Sequence, residues 1–371
     1  MKFEVVVVGG GPAGALAARA AAKARAKTLL LERSPKRIPC CAGLVSPRTA
    51  DRLGIPSHVV LREIRAVRVF SPQGRVVELR ADEVKGLVLD RPRLDWWLRE
   101  KAQESGVEIW TAEARGLEGG KLCTTKGLVD FEALVGADGV YSVVAREAGL
   151  PRPREVLVAV QAEVRAELKD TVEVHFGVAP DFFAWAVPGK EGIVKVGLAT
   201  SFGRQAMPKL WDFLAKRFRG QEILGVRAGL IPVGPPERVA SDRVVLTGNA
   251  AGQVKPLTGG GLAFLSRCAP LAGKAAAFGG NALQEYEEAW RKAVGEELAF
   301  QERARWLFLR LPSEALEELV QILANPKLAE VFSDFGDIDN FSALSAKILR
   351  RPGLWTTILP LARWLSQWEA P

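Results

Sequence analysis

The 371-residue sequence predicts an α/β fold with a parallel-sheet lobe, an interleaved antiparallel-sheet lobe and a helical C-terminus. Three observations predict it. The apolar, β-branched run Phe3–Val8 leads directly into a glycine-rich turn and an alanine-rich helix, which is typical of a buried parallel strand. A second strand-turn-helix segment rich in glycine begins at Asp242. From about Leu283 onward the chain reads as helical, with capping residues at Pro312-Ser313 and Asn325-Pro326.

The first glycine-rich turn reads Gly-Gly-Gly-Pro-Ala-Gly. Gly9 permits the tight turn, Gly11 lets the backbone approach a pyrophosphate, and Gly14 lets helix and strand pack closely. The helix N-terminus adds N–H donors and a positive dipole. A second strand, Thr28–Leu31, ends in Glu32, about 20 residues downstream, where an acid accepts from ribose hydroxyls. The sequence therefore predicts a Rossmann-type dinucleotide site.

Two later segments bear on which dinucleotide is bound. Gly136–Gly139 (GADG) closes an apolar run and is followed by Ser142 and Arg146 on a predicted helix beginning near Val140. Asp242–Thr247 is a predicted strand that delivers Gly248-Asn249-Ala250-Ala251-Gly252 and then a triple glycine before another alanine-rich helix. Two half-sites so far apart in sequence favour a large, extended cofactor, although two independent structural turns are the alternative.

The order of these motifs resembles the flavoprotein group that includes aromatic hydroxylases and geranylgeranyl reductases, over roughly residues 1–290. The resemblance implies FAD as the cofactor. Asn249 departs from the usual Asp, but its amide oxygen can still accept from a ribityl hydroxyl. The implied cofactor-binding residues are Gly9, Gly11, Ala13, Gly14, Glu32, Arg33, Ala42, Gly43, Arg91, Ala114, Asp138, Asn249, Gly252, Gly260, Gly261 and Leu262.

Three segments are similar to the geranylgeranyl reductases in particular. Residues 41–48 (CAGLVSPR) resemble that family's cysteine-glycine loop, CGGGLSPR, and residues 91–95 (RPRLD) resemble its Arg-x-x-Phe-Asp signature. Residues 180–188 (PDFFAWAVP) resemble its P-x-x-Y-x-W-x-F-P box. Phe183 stands in the place of the tyrosine, so the hydroxyl that could donate a proton is missing.

The resemblance implies catalytic roles for Cys41, Phe183 and Trp185. Phe182, Phe183 and Trp185 place aromatic area between two prolines, which suits the wall of a pocket for an apolar chain, although one aromatic face of a core strand gives the same pattern. Cys41 is either a small buried hydrophobe or a residue beside the flavin that positions or protonates the substrate.

The two lobes are predicted to be interleaved along the chain. The predicted ranges are 1–60, 90–150 and 235–290 for the FAD-binding lobe, 61–89 and 151–234 for the substrate-binding lobe, and 291–371 for the C-terminal helical region.

Composition excludes several classes. Four cysteines without metal-ligand spacing and two distant histidines, His58 and His175, argue against a metal site, a Ser-His-Asp hydrolase and a disulfide scaffold, and favour a reducing cytoplasm. No charge-free run of 18 or more apolar residues occurs and no leader pattern opens the sequence, so we expect neither secretion nor a membrane span.

Charge and the C-terminus leave the question of partners open. The net charge of +8 favours anionic partners, but Arg and Lys are scattered among acidic residues, as on an ordinary solvated surface, and nucleic acid is not expected. The segment from Arg350 through Trp355, Trp364 and Trp368 mixes basic residues and tryptophans. It could lie peripherally in a lipid interface at the inner face of the membrane, although packing on the protein body is favoured.

The resemblance to the geranylgeranyl reductases implies an FAD-dependent reductase that saturates isolated double bonds of geranylgeranyl chains on a membrane-lipid precursor or an isoprenoid diphosphate. Reduced flavin would deliver hydride from N5, and the protein would supply an apolar cavity and a proton donor. NAD(P)H or a reduced ferredoxin would supply the electrons. The alternatives are an FAD-dependent monooxygenase of a hydrophobic substrate and an electron-transfer flavoprotein without its own organic substrate.

Overall fold

The computed structural model describes residues 1–354 and Trp364. The strands are β1 Lys2–Val8, β2 Thr28–Leu31, β3 Leu44–Val45, β4 Val60–Ile64, β5 Ala66–Phe70, β6 Val76–Arg80, β7 Gly86–Leu89, β8 Glu108–Trp110, β9 Ala114–Glu118, β10 Lys121–Thr124, β11 Gly127–Gly136, β12 Glu155–Arg165, β13 Thr171–His175, β14 Ala184–Pro188, β15 Ile193–Thr200, β16 Ile223–Val233 and β17 Val244–Leu246.

The helices are α1 Pro12–Lys23, α2 Pro47–Leu53, α3 Arg91–Gln103, α4 Val143–Glu147, α5 Gly203–Arg217, α6 Leu262–Phe278, α7 Asn281–Phe308, α8 Ser313–Leu323, α9 Pro326–Phe335 and α10 Phe341–Leu349. Short 3-10 turns cover Ser57–Val59, Gly248–Ala251 and Pro352–Leu354. None of the helices within the described ranges is both long and apolar enough to cross a membrane.

The chain divides into two compact units. The first contains Met1–Pro39, Arg91–Val156 and Ile231–Leu298, and the second contains Cys40–Asp90, Leu157–Leu230 and the chain from Ala299 onward. Residues 40–60, which we assigned to the cofactor lobe, thus fall in the second unit because β3 pairs with β7 there. The helices after residue 290 are shared between the two units rather than forming a separate region.

The first unit is built on a sheet with the order β8-β2-β1-β11-β10-β9, and β17 pairs with β11. The pairs among β8, β2, β1, β11 and β17 are parallel, whereas β9, β10 and β11 form an antiparallel meander. Val5, Val6 and Val7 of β1 are completely buried, as expected for a central parallel strand covered on both faces. Helices α1 and α6 pack closely, and a side chain at Gly273 would overlap the backbone of Ala17.

The second unit is built on a seven-stranded sheet with the order β16-β12-β15-β14-β13-β5-β6, beside a small sheet β3-β7-β4. The pairs β12–β15, β15–β14, β14–β13 and β5–β6 are antiparallel, whereas β5 and β13 pair in parallel. Helix α5 covers one face of the large sheet, where Val196 and Leu198 pack with Leu210, Phe213 and Leu214.

Most predicted elements agree with the structure, with small shifts at their ends. The helix after the GADG segment begins at Val143 rather than near Val140, because the hydroxyl of Ser142 accepts from the N–H of Ala145 and caps it. Asn325 caps α9 in the predicted way. The tryptophan-rich C-terminal segment from Trp355 lies outside the described residues except for Trp364, whose indole donates to Glu318 at 2.6 Å.

Candidate active site

In the first glycine-rich turn, between β1 and α1, Gly9 and Gly14 pack against backbone, whereas Gly11 faces open space. Gly9 has φ +101, and a side chain there would overlap the carbonyl of Ala137. A side chain at Gly14 would overlap the carbonyl of Gly9, so α1 and β1 approach as closely as backbones can. At Gly11, by contrast, an added Cβ would have no described atom within 4 Å. The structure therefore has open space at Gly11, at the N-terminus of α1, where the sequence predicts that a phosphate lies.

Glu32 lies at the end of β2 and holds this turn. One oxygen of its carboxylate accepts from the N–H of Gly10 at 2.8 Å, and the other accepts from the N–H of Ser34 at 2.6 Å. From α3, Arg99 donates to the carbonyl of Gly10 at 3.0 Å and to that of Pro35 at 2.9 Å. Sequence reasoning missed Arg99, whose only signal was its position one helical turn after Asp95.

A cavity of about 450 Å³ opens beside the end of β2. Its lining residues are Arg33, Ser34, Thr111, Ala112, Glu113 and Thr125. Arg33 is exposed and pairs with Glu113 at 3.4 Å, and Ala114 follows directly at the start of β9. In Rossmann-type sheets the adenosine half of the cofactor lies at these carboxyl ends of the strands, which fits the predicted roles of Arg33 and Ala114.

Asp138 is engaged with its own chain. Its carboxylate accepts from the hydroxyl of Ser142 at 2.6 Å and from the N–H of Val143 at 2.7 Å and of Val144 at 3.3 Å. Burial raises the pKa of Asp138 above its ordinary 3.8, and the hydrogen bonds only partly oppose that shift. The carboxylate therefore fixes the start of α4, and its contact with the cofactor stays a prediction.

Arg91 and Asp95 of the predicted signature pair with each other at 3.1 Å across the first turn of α3. Their side chains are 12% and 13% exposed, so the pair is largely shielded from water. The ion pair between Arg91 and Asp95 thus stabilises the start of α3, the helix that also carries Arg99.

The second glycine-rich turn returns to the first, as the sequence predicted. A Cβ at Gly248 would lie 2.6 Å from the Cβ of Ala13, so the Gly248–Ala251 turn lies directly against the start of α1. Gly252 has φ +63 and packs against the carbonyl of Gly234. Asn249 is half-buried in this turn, and its Oδ1 lies beside Gly261, the N-cap of α6.

Gln253 holds that second turn through a completely buried network. Its Oε1 accepts from the hydroxyl of Thr247 at 3.0 Å and from the N–H of Gly248 at 2.9 Å. Its amide donates to the hydroxyl of Tyr286 at 3.0 Å, and that hydroxyl donates to the carbonyl of Leu246 at 3.0 Å. Burial raises the pKa of Tyr286, so the phenol stays protonated as a donor.

The residues of the first unit fit FAD. Helices α1 and α6 both begin at glycine-rich turns, and these two turns lie against each other. Gly260, Gly261 and Leu262 form the start of α6. The hydroxyl oxygen of Thr258 is buried and lacks a hydrogen-bond partner within the described chain, which is what a polar edge of a bound flavin would supply.

The cysteine-glycine loop, residues 40–43, belongs to the second unit and is fastened to the large sheet. The carbonyl of Cys41 accepts from the amide of Gln161 at 3.5 Å. The carbonyl of Ala42 accepts from the buried ammonium of Lys195 at 3.1 Å. Gly43 has φ +84 and packs against the carbonyl of Leu89. Sequence reasoning singled out Cys41, Ala42 and Gly43 but missed the two side chains that hold them.

The aromatic segment is partly buried in the core and partly half-buried, and the pocket wall stays a prediction. Phe182 is a core residue, 2% exposed, and stacks on the half-buried Phe183 at 4.4 Å. Phe183 in turn meets Trp185 edge-on at 6.3 Å. The indole of Trp185 lies over Gly197, where a Cβ would come within 2.5 Å of the ring.

Gln161 joins the two predicted catalytic segments. The indole N–H of Trp185 donates to the Oε1 of Gln161 at 3.4 Å, while the same amide donates to Cys41. Cys41, Trp185 and Gln161 thus form one connected polar and aromatic group, with Phe183 in contact with Trp185. The core alternative holds for Phe182, whereas Phe183 and Trp185 keep exposed surface.

A Rossmann-type sheet with two converging glycine-rich turns defines this protein as an FAD-dependent oxidoreductase. The family model of glucose inhibited division protein A matches residues 4–69. The fold is similar to that of a geranylgeranyl bacteriochlorophyll reductase-like protein from Thermoplasma acidophilum, with a TM-score of 0.83, 23% identity and coverage of 97% of this chain and 99% of that one. It is also similar to p-nitrophenol 4-monooxygenase from Pseudomonas putida, with a TM-score of 0.71, 18% identity and coverage of 91% and 99%.

Among proteins of assigned name, the chain is 35% identical to digeranylgeranylglycerophospholipid reductase 2 of Methanothermobacter thermautotrophicus, over 89% of this chain and 94% of that protein. It is 32% identical to digeranylgeranylglycerophospholipid reductase 2 of Methanopyrus kandleri, over 87% and 91% of the two chains. The chain belongs to the digeranylgeranylglycerophospholipid reductase family, which confirms the resemblance found in its motifs.

Proposed function

We propose that this protein uses FAD to saturate the isolated double bonds of geranylgeranyl chains on a membrane-lipid precursor. The observation that carries the proposal is the 35% identity to a digeranylgeranylglycerophospholipid reductase over 89% of the chain. The structure adds that Cys41 and Trp185, taken from separate family motifs, are joined through Gln161.

Different residues would bind the two halves of FAD and the prenyl chain. The open side of Gly11, the N-terminus of α1 and Glu32 would hold the pyrophosphate and ribose, while Asn249 and Thr258 would hold the flavin half. Bound and reduced, FAD supplies the hydride that adds to one carbon of the double bond. The aromatic surfaces of Phe183 and Trp185 would orient the prenyl chain and exclude water.

Saturation also requires a proton for the second carbon of the double bond. Phe183 has no hydroxyl to give, so we assign the proton to the thiol of Cys41, which is regenerated from solvent after each turnover. Replacing Cys41 by Ala should lower turnover strongly while FAD stays bound, and Cys40→Ala is the matched control. Unchanged turnover in Cys41→Ala would remove this role.

The electron donor and the place of action belong to the same proposal. NAD(P)H bound transiently or a reduced ferredoxin would reduce the flavin, and the rate of anaerobic flavin bleaching with each donor would rank them. Because the proposed substrate is a membrane lipid, we expect the protein to work peripherally at the inner face of the membrane.

The product assay is direct. The dithionite-reduced holoprotein would be incubated anaerobically with geranylgeranyl lipid or with geranylgeranyl diphosphate, and each product analysed by mass spectrometry for two-hydrogen increments. Gains on either substrate support prenyl reduction and rank the head groups. With bound FAD verified by its absorption spectrum, the absence of gains on both would reject the proposal.

The second candidate is a monooxygenase of a hydrophobic substrate, favoured by the shared fold with p-nitrophenol 4-monooxygenase. It requires oxygen and adds an oxygen atom to the product. Rapid oxygen-dependent reoxidation of the reduced flavin, coupled to hydroxylation of the prenyl lipid, would select it.

A further inference from the structure

Helix α5 carries an exposed face that the catalytic proposal leaves unused. Ala206, Leu210, Phe213 and Leu214 pack into the core of the second unit. The opposite side exposes large apolar side chains, with Trp211 45% and Met207 36% exposed one helical turn apart, and Phe202 52% exposed just before the helix. Exposed groupings of this kind on a soluble surface mark contact sites.

The charges of α5 have one dominant sign. Arg204 lies on the exposed face, Lys209, Lys216 and Arg217 are the other basic residues of the helix, and Asp212 is its single acidic residue. Arg217 pairs with Glu173, and Arg219 follows the helix. Tryptophan with flanking arginine and lysine is the composition favoured where a helix lies in the headgroup region of an anionic bilayer.

A second exposed apolar group lies at the end of α7, where Trp306, Leu307 and Leu309 are each between 37% and 39% exposed. Arg310 lies over the ring of Trp306 at 3.7 Å, and the segment runs into α8, which carries Glu314, Glu317 and Glu318. Anionic lipid would repel these three carboxylates, whereas Asp212 is the single acidic residue of α5, so charge complementarity favours the α5 face over this one.

The α5 face also adjoins the aromatic segment. The N–H of Ser201, directly before Phe202, donates to the carboxylate of Asp181 at 2.6 Å, and Asp181 precedes Phe182 and Phe183. A bilayer contacted by Phe202 and Trp211 would therefore lie close to the residues proposed to receive the prenyl chain.

We propose that the exposed face of α5, formed by Phe202, Arg204, Met207 and Trp211, docks the protein on an anionic phospholipid bilayer. The inference rests on the proposed function, since it gives a lipid-reducing enzyme its route to a membrane-embedded substrate. The docking is reversible and electrostatically assisted, so it should weaken as salt rises.

The test is co-sedimentation of the FAD-loaded full chain with vesicles of phosphatidylglycerol and phosphatidylcholine, compared with vesicles of phosphatidylcholine alone. Trp211→Glu should lower the partition onto the anionic vesicles by at least about tenfold, since it removes a large apolar contact and adds repulsion. Arg204→Gln should lower it by about fivefold. Met207→Glu is the second apolar variant if Trp211→Glu fails to fold.

Trp96→Glu is the matched control, because Trp96 is 58% exposed on α3 in the first unit. Equal loss in the Trp96 and Trp211 variants, or wild-type binding by both Trp211→Glu and Arg204→Gln, would overturn the proposal. So would light scattering that shows the wild type as a dimer, dispersed by Trp211→Glu, with no vesicle binding, since a second copy would then cover the face.

Activity separates this inference from the proposed function. Trp211→Glu should keep wild-type turnover on detergent-dispersed geranylgeranyl lipid and lose it on the same lipid in vesicles. Reduction of dispersed lipid by a wild type that binds no vesicles would overturn the docking and leave the function standing. Vesicle binding by a wild type that reduces neither form would overturn the function and leave the docking standing.

Discussion

Removing the hydroxyl of Tyr286 should weaken the binding of FAD, because this hydroxyl belongs to the hydrogen-bond network that holds the second glycine-rich turn. This hydroxyl accepts from Gln253 and donates to the carbonyl of Leu246, and Gln253 in turn binds Gly248 at the start of the second glycine-rich turn. Tyr286→Phe keeps the ring, which is 1% exposed and well packed, and deletes only the polar link. The change therefore isolates the network from the core.

The magnitude follows from burial. The variant leaves one donor of Gln253 and the carbonyl of Leu246 without their partner in a place that water does not reach, and each such buried loss costs about 1–3 kcal/mol. If about 2 kcal/mol of the total falls on the geometry of the Gly248–Ala251 turn, the Kd for FAD rises about thirtyfold. Gln253→Leu breaks three of the four hydrogen bonds and should weaken FAD more.

The assay is titration of apoprotein with FAD, followed by the loss of free-flavin fluorescence, with circular dichroism to verify that the variant is folded. Tyr141→Phe is the matched control, because Tyr141 is 62% exposed and is the chain's second tyrosine. A Kd within about twofold of wild type for both Tyr286→Phe and Gln253→Leu would refute the reasoning, because the turn would then keep its shape without the network.

Three further predictions concern the first glycine-rich turn, Arg99 and the buried carboxylate of Glu173. Gly11→Ala should fold but bind FAD at least about tenfold more weakly in the same titration. Gly14→Ala should fail to yield stable protein, because its methyl group would overlap the backbone of Gly9. Equal FAD affinity for Gly11→Ala and wild type would argue against a phosphate at Gly11. Arg99→Ala should lower the free energy of unfolding in urea by about 2 kcal/mol, because the carbonyls of Gly10 and Pro35 lose a charged donor. An unchanged urea midpoint would contradict this. Burial raises the pKa of Glu173, but hydrogen bonds from His175 and Arg217 outweigh burial and hold the pKa below its ordinary 4.5. The stability that Glu173 contributes is therefore present above about pH 4.5 and is lost as the pH falls through the lowered pKa. Thermal melts of wild type and Glu173→Gln should therefore differ most near neutral pH and converge in acid, and a difference that is constant with pH would be the contrary result.

The sequence was sufficient for the parts of the site that backbone geometry dictates. Gly9, Gly11 and Gly14 occupy the positions expected from their spacing, and the return of Gly248 to the start of α1 follows from two strand-turn-helix junctions sharing one parallel sheet. Each of these features depends on a strand-turn-helix pattern that is visible in the local sequence and on glycines at fixed positions within it.

The supporting side chains could not be predicted in the same way. Gln161 and Lys195 reach the cysteine loop from strands more than a hundred residues away, and their positions depend on the register of β12 against β15. The sequence around Gln253 does not indicate that its amide donates to the hydroxyl of Tyr286. Only tertiary packing distinguishes such residues from polar residues on a surface.

The unit boundary at residue 40 has the same origin. The two-residue strand β3 is too short to be recognised from hydrophobic alternation, yet its pairing with β7 moves the cysteine loop into the second unit. The family motifs predict a cysteine-glycine loop at Cys41, but they do not indicate which sheet carries that loop.

The most direct test of the central claim is a single anaerobic turnover with stoichiometric reduced FAD on the protein and an excess of geranylgeranyl lipid. The account predicts that the flavin reoxidises only when the lipid is added, and that each flavin reoxidised matches one two-hydrogen gain in the lipid. Reduced flavin that stays reduced until oxygen is admitted, and then yields a lipid that has gained an oxygen atom, would contradict it.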